Sequence, residues 1–214
     1  MGPALLALVL SSGSPPPTGR LTVLVTLDAR TVPAHLDLLE VSRQIRTIWT
    51  PYVDIDVVDA GAPLRRAYDE RVSLVMAGSA REPARSHDAL GWTTFPAPGQ
   101  PDDFVTVSID TARRLLTEGR WRGQRIAELP PLGRERFLAL TVGRGAAHEI
   151  GHYLLRSSQH AASGLMQPQL TIADIMEDDS RRFRLLPHEV ETLRRRAALE
   201  GQLADREPIP PNSE

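Results

Sequence analysis

The chain has 214 residues, 41% of them hydrophobic and 24% charged, which suits one soluble domain large enough to bury a core. Its formal net charge is −2, with no lysine, and the arginine runs at 113–114, 181–182 and 194–196 have acids nearby, so there is no basic field to attract nucleic acid. Cysteine is absent, which excludes disulfides, thiolate metal ligands and a thiol nucleophile.

The chain opens with "MGPALLALVLSSGSPPPTGR". An apolar run over 4–10, small residues over 11–14 and a Pro-rich stretch predict a signal peptide and linker over 1–19, and with them a secreted or periplasmic location; without a cleaved signal the location is cytoplasmic. No other run approaches the ~20 apolar residues that a membrane span needs.

From Arg20, "RLTVLVTLD" reads as a strand. Pro33 is placed to open a helix, and Leu36, Leu39, Val41, Ile45, Ile48 and Trp49 carry its apolar face until Pro51. "VDIDVVD" over 53–59 and "RVSLVMAG" over 71–78 read as the second and third strands. "ALGWTTF" over 89–95 is a short fourth strand and "DFVTVSID" from Asp103 a fifth. Asp110 is the expected N-cap of a short helix. After Pro130 and Pro131 a long helix is expected over 132–155, in which Gly143, Gly145, Ala146 and Ala147 let its backbone approach the sheet. An irregular segment comes next, then a last helix over 187–203 and a Pro-rich tail from 206 to 214. No internal repeat interrupts this order. The expectation is one α/β domain over 20–205, with a mixed twisted sheet of four to five strands, a backing helix, a histidine-bearing helix and a C-terminal helix.

Three of the six histidines fall in "AHEIGHYLLRSSQHAASGLM". His148 and His152 stand four apart, so on a helix both imidazoles reach one ion, and Glu149 beside the first can act as a general base. Zinc takes nitrogen ligands in tetrahedral geometry, and a catalytic site needs a third protein ligand and one open position. His160, eight residues after His152, is the favoured third ligand; Glu177 and Glu189 are the competitors. His87 and His188 have no partner pattern, and "EDD" from Glu177 lacks the alternation of a calcium loop.

These residues resemble the metzincin zinc peptidases, whose pattern is HExxHxxGxxH followed by a methionine-bearing turn. The resemblance implies one zinc ion on His148, His152 and His160, Glu149 as base, and Met166 in "SGLM" as a hydrophobic floor. Two departures stand out: the third histidine comes two positions late, and Leu155 occupies the place of the turning glycine. Arg156 and Ser157 are then the expected turn, and Tyr153 is read as packing. No tyrosine stands two residues after Met166, where some metzincins carry one. The resemblance further implies that an edge strand, here Gly91, Trp92 and Thr93, binds the backbone of a peptide substrate.

The expected function is zinc-dependent hydrolysis of peptide bonds, with metal-bound water activated by Glu149. A metalloendopeptidase is favoured over an exopeptidase, and the partner is a peptide or protein. Two alternatives stand beside it: a non-enzymatic, zinc-stabilised peptide-binding domain, and a zinc hydrolase of another class with a downstream glutamate as third ligand.

Overall fold

The structure, a computed structural model, describes residues 19–28, 32, 35–78, 89–177 and 180–204. The expected signal segment, Pro33, His87, Asp178, Asp179 and the 206–214 tail lie outside them.

β-Branched and alternating stretches form β1 (Thr22–Leu27), β2 (Asp54–Asp59), β3 (Glu70–Ala77), β4 (Gly91–Thr93) and β5 (Phe104–Ser108). Among the described residues these five make one sheet in the order β2-β1-β3-β5-β4. β1 is parallel to both β2 and β3, and β3 is parallel to β5. β4 alone runs antiparallel, pairing Gly91 with Val107 and Thr93 with Val105. Val23, Leu24 and Val25 of β1 are all buried, as a strand covered on both faces requires. The outer strand β2 carries Asp54 and Asp56, which Arg66 bridges, so that edge is charged against pairing with another chain.

Helix α1 (Leu38–Trp49) begins later than the expected opening at Pro33. Asp37 sets that start, because its side chain accepts from the amides of Leu39 and Glu40 at 3.0 and 3.1 Å. Val41, Ile45, Ile48 and Trp49 bury its inner face. Helix α2 (Ile109–Glu118) is capped by Ser108, whose hydroxyl accepts from Thr111 N at 3.1 Å. The expected cap, Asp110, instead lies in the first turn beside Arg113. Both residue types cap well, and β5 running on to Ser108 decides between them.

Helix α3 (Pro131–Leu155) starts one residue earlier than expected, with Pro131 in its first turn. It packs along α1 and over β5 and β4. Helix α5 (Pro187–Ala204) closes the described chain. A hairpin and a short helix among the described residues were not anticipated. A hairpin of β6 (Arg120–Trp121) and β7 (Gln124–Arg125) turns through Arg122 and Gly123, both with positive φ. The short helix α4 (Ile172–Met176) carries a capping box between Thr171 and Asp174. No helix among the described residues is long and apolar enough to cross a membrane.

Candidate metal centre

Helix α3 carries the site, and its glycines face its neighbours. A Cβ on Gly143 would lie 2.7 Å from Gln44 Cβ of α1, and one on Gly151 would run into the sulfur of Met166. The expectation put these small residues against the sheet; Gly143 instead meets helix α1, and Gly145 meets Leu90 ahead of β4. Each glycine costs about 1 kcal/mol in helix propensity, which the close contact offsets. Trp49, fully buried, donates its indole N–H to Ala147 O at 3.1 Å and so anchors α3 one residue before His148.

The three histidines come together. His148, His152 and His160 place one nitrogen each within 4.8 Å of the others, a group that could hold a metal ion. His148 Nδ1 lies 2.7 Å from Leu165 O, and His152 Nδ1 lies 2.7 Å from Ser157 O. A carbonyl only accepts, so both Nδ1 atoms carry the proton and both Nε2 atoms present a lone pair. Those two Nε2 atoms face each other at 3.1 Å. Two lone pairs that close repel unless a cation lies between them. A tetrahedral ion with Zn–N of ~2.0–2.1 Å would separate two nitrogens by about 3.3 Å. The donor set therefore fits zinc.

The electrostatics keep the imidazoles neutral, the form that ligates. Burial, followed by the neighbouring His152, pushes the pKa of His148 down to about 4. Burial likewise lowers His152, and it lowers His160 at the exposed edge of the group.

Glu149 is buried next to this group. Thr93 Oγ1 of β4 lies 3.0 Å from both its carbonyl oxygen and its Oε2, and its single proton serves either. Gly91 makes room for it: a Cβ there would stand 2.7 Å from Glu149 Cγ. Gly91 and Thr93 thus face the carboxylate, with Trp92 on the opposite side of the strand.

The chain leaves α3 at Arg156, one of the two residues expected to turn it, and Arg156 takes φ 53° and ψ 38°, the left-handed conformation. For a residue with a Cβ that conformation costs roughly 1–2 kcal/mol. Arg156 Nη2 donates to both oxygens of the buried Glu70, at 3.0 Å each. Tyr153 is more than packing, since its hydroxyl donates to Glu70 Oε2 at 2.8 Å, and Arg196 of α5 also pairs with Glu70. Burial, then the Glu70 carboxylate, raises the Tyr153 pKa, which keeps the phenol a donor.

After His160, Ala161 N donates to Met166 O at 2.8 Å. Met166 is buried in the turn that Gln167 N closes on Gly164 O. The competing ligands lie elsewhere. Glu177 pairs with Arg182 at 2.6 Å, and Glu189 accepts from Leu186 N at 2.6 Å at the start of α5. A cleft of about 490 Å³ opens beside the group, lined by Leu90, Gly91, Leu115, His148, Glu149 and His160 with residues 167–171.

Sequence reasoning did not find Glu70 or the two carbonyls that orient His148 and His152. Glu70 stands outside any motif, and a carbonyl has no side-chain signature.

No protein-family model and no curated protein matches the chain. Among solved structures, the crystal structure of an archaemetzincin from Methanopyrus kandleri is similar over 86% of this chain and 98% of that one, at 14% identity and a TM-score of 0.48.

Proposed function

We propose that this protein is a zinc-dependent peptidase, in which His148, His152 and His160 hold one catalytic ion and Glu149 is the general base. The observation that carries this reading is the pair of Nε2 lone pairs facing at 3.1 Å, with Glu149 at hand and a cleft open beside them. The metzincin-like order of "HEIGH", His160 and Met166 supports it.

Zinc, when bound, supplies Lewis acidity, polarising a peptide carbonyl and making water acidic near neutral pH. The protein's own residues do the rest. Leu165 O and Ser157 O fix the ring planes of His148 and His152. Thr93 fixes Glu149, which takes a proton from the attacking water and hands it to the leaving amine. Met166 supports α3 from below through its contact with Gly151.

The free side of β4 suits an extended peptide added as a strand, since among the described residues only β5 pairs with it. The cleft suits an uncharged side chain, with Leu90, Leu115 and Leu170 apolar and Gln167, Gln169 and Thr171 neutral. Among the described residues Glu149 is the one carboxylate lining it, and no arginine there captures a chain terminus, which favours an endopeptidase. A purely structural zinc site has no use for a base, and the position of Glu149 argues for catalysis.

The test combines metal analysis with peptide hydrolysis. The expected result is about one zinc per chain, and a fall in kcat of about 10²–10⁴-fold for Glu149→Gln with zinc retained. Full hydrolysis by Glu149→Gln would overturn the proposal.

A further inference from the structure

We propose that Glu70 is a positioning residue for the metal centre: through Arg156 it holds the left-handed turn that orients His152 and delivers His160. This rests on the zinc reading above.

The sequence leaves a gap at this turn. Leu155 and Arg156 stand where the chain must reverse, and neither is a glycine. Something has to hold Arg156 in a conformation that its Cβ disfavours. The candidate is the carboxylate of Glu70 at the head of β3, which is buried and only 5% exposed. Among the described residues, its side-chain partners belong to the end of α3 or to α5, which clamps it. Arg156 Nη2 reaches both oxygens at 3.0 Å, and Tyr153 OH reaches Oε2 at 2.8 Å. Arg196 pairs with Oε1 and also donates to Leu154 O. The guanidinium of Arg156 lies 5.0 Å from the centre of the Tyr153 ring, completing the packing.

The turn sets the path of the chain into the third ligand. With Arg156 left-handed, Ser157 N donates to His152 O at 3.2 Å, and Ser157 O comes round to accept from His152 Nδ1 at 2.7 Å. Ser157 Oγ then accepts from Gln159 N at 3.1 Å, and His160 is the next residue. Two of the three imidazoles are thus set by one dihedral. His148 is set separately, by Leu165 O. If the turn loosens, only a fraction of molecules present three ligands, and apparent zinc affinity falls by that fraction.

Two substitutions separate the turn from the charge. Arg156→Ala and Arg156→Gly both lose the contact with Glu70, and they differ in the Cβ that disfavours the left-handed turn. Zinc affinity of the full-length protein is read by competition with a chromophoric chelator, and folding by circular dichroism. Arg156→Ala is expected to bind zinc about tenfold more weakly, the equivalent of about 1.4 kcal/mol. Arg156→Gly is expected to recover most of that loss. Glu70→Gln should match Arg156→Ala; should Glu70→Gln fail to fold, the Ala and Gly pair still decides. Wild-type zinc affinity in Arg156→Ala, or equal weakness in Arg156→Gly, would overturn the proposal. A wild-type protein that binds no zinc, or a His160→Ala variant that binds it as tightly as wild type, would instead sink the zinc reading itself.

Discussion

Gly91→Ala is a small change with a large expected effect on rate. A methyl at that position would lie 2.7 Å from Glu149 Cγ, 3.1 Å from Glu149 Oε1 and 2.7 Å from Thr106 O. Thr106 belongs to the β4–β5 ladder, opposite Trp92, so the clash with its carbonyl strains strand β4, while the clash with Glu149 is relieved by the side chain. Carbon–carbon contacts are comfortable from about 3.5 Å, so the 2.7 Å approach asks Glu149 to retreat by about 0.8 Å. A shift of about 1 Å in a catalytic group costs about 10²-fold in rate. The overpacking itself should cost about 1–3 kcal/mol, or roughly 2–4 °C of Tm for each kcal/mol. No histidine is among the nearest atoms, so zinc should stay. Steady-state peptide hydrolysis, a thermal melt and metal analysis on the same preparation read all three quantities. Wild-type kcat in Gly91→Ala, or a variant that loses zinc while keeping its specific rate per metal, would show that the Gly91 contact does not position Glu149.

His160→Ala should weaken zinc by more than the 10–100-fold typical of a lost outer-shell partner. Glu177→Ala should leave zinc affinity unchanged, and so should Glu189→Ala, which should instead destabilise the fold by about 1 kcal/mol through loss of its hydrogen bond to Leu186 N. Chelator competition compares the three, and a glutamate variant as weak as His160→Ala would reassign the third ligand. The zinc-free protein should lose stability on acidification. His148 protonates at about 4 in the fold and near 6.5 when unfolded. Between those values the unfolded chain binds the extra proton, so stability falls as pH drops from 6.5 to 4, by about 3 kcal/mol in all. Urea melts of wild type and His148→Gln at several pH values isolate this contribution, and identical pH profiles for the two would contradict it.

Much of the fold was legible because its signals are local. Short apolar and β-branched runs located all five main strands, and helical spacing located α1, α3 and α5. The boundaries were set by capping chemistry that the pattern does not rank: Asp37 rather than Pro33, and Ser108 rather than Asp110. The β6–β7 hairpin escaped because each strand is two residues long, too short for alternation, and its turn puts a non-glycine, Arg122, at positive φ. Thr171 and Asp174 did spell a capping box, a signal present in the sequence and not read there. In the site, "HEIGH" was readable because a helix places residues four apart on one face whatever surrounds it. His160 was a choice among three candidates, and Arg156 as the turn was legible only as a missing glycine.

Residue order alone carries the chemistry on offer: two imidazoles and a carboxylate on one helix, no thiol, and a third histidine within reach. Those come from residue type and helical period, which need no long-range contact. How that chemistry is aimed depends on contacts made in the folded chain. Leu165 O and Ser157 O choose the tautomers, Thr93 and Gly91 place Glu149, and Glu70, far upstream in the chain, holds the turn at Arg156. Most of these contacts join segments distant in sequence, and two are made by backbone carbonyls. A carbonyl is the same atom in every residue, so its position is set by the fold and leaves no mark in the order of side chains.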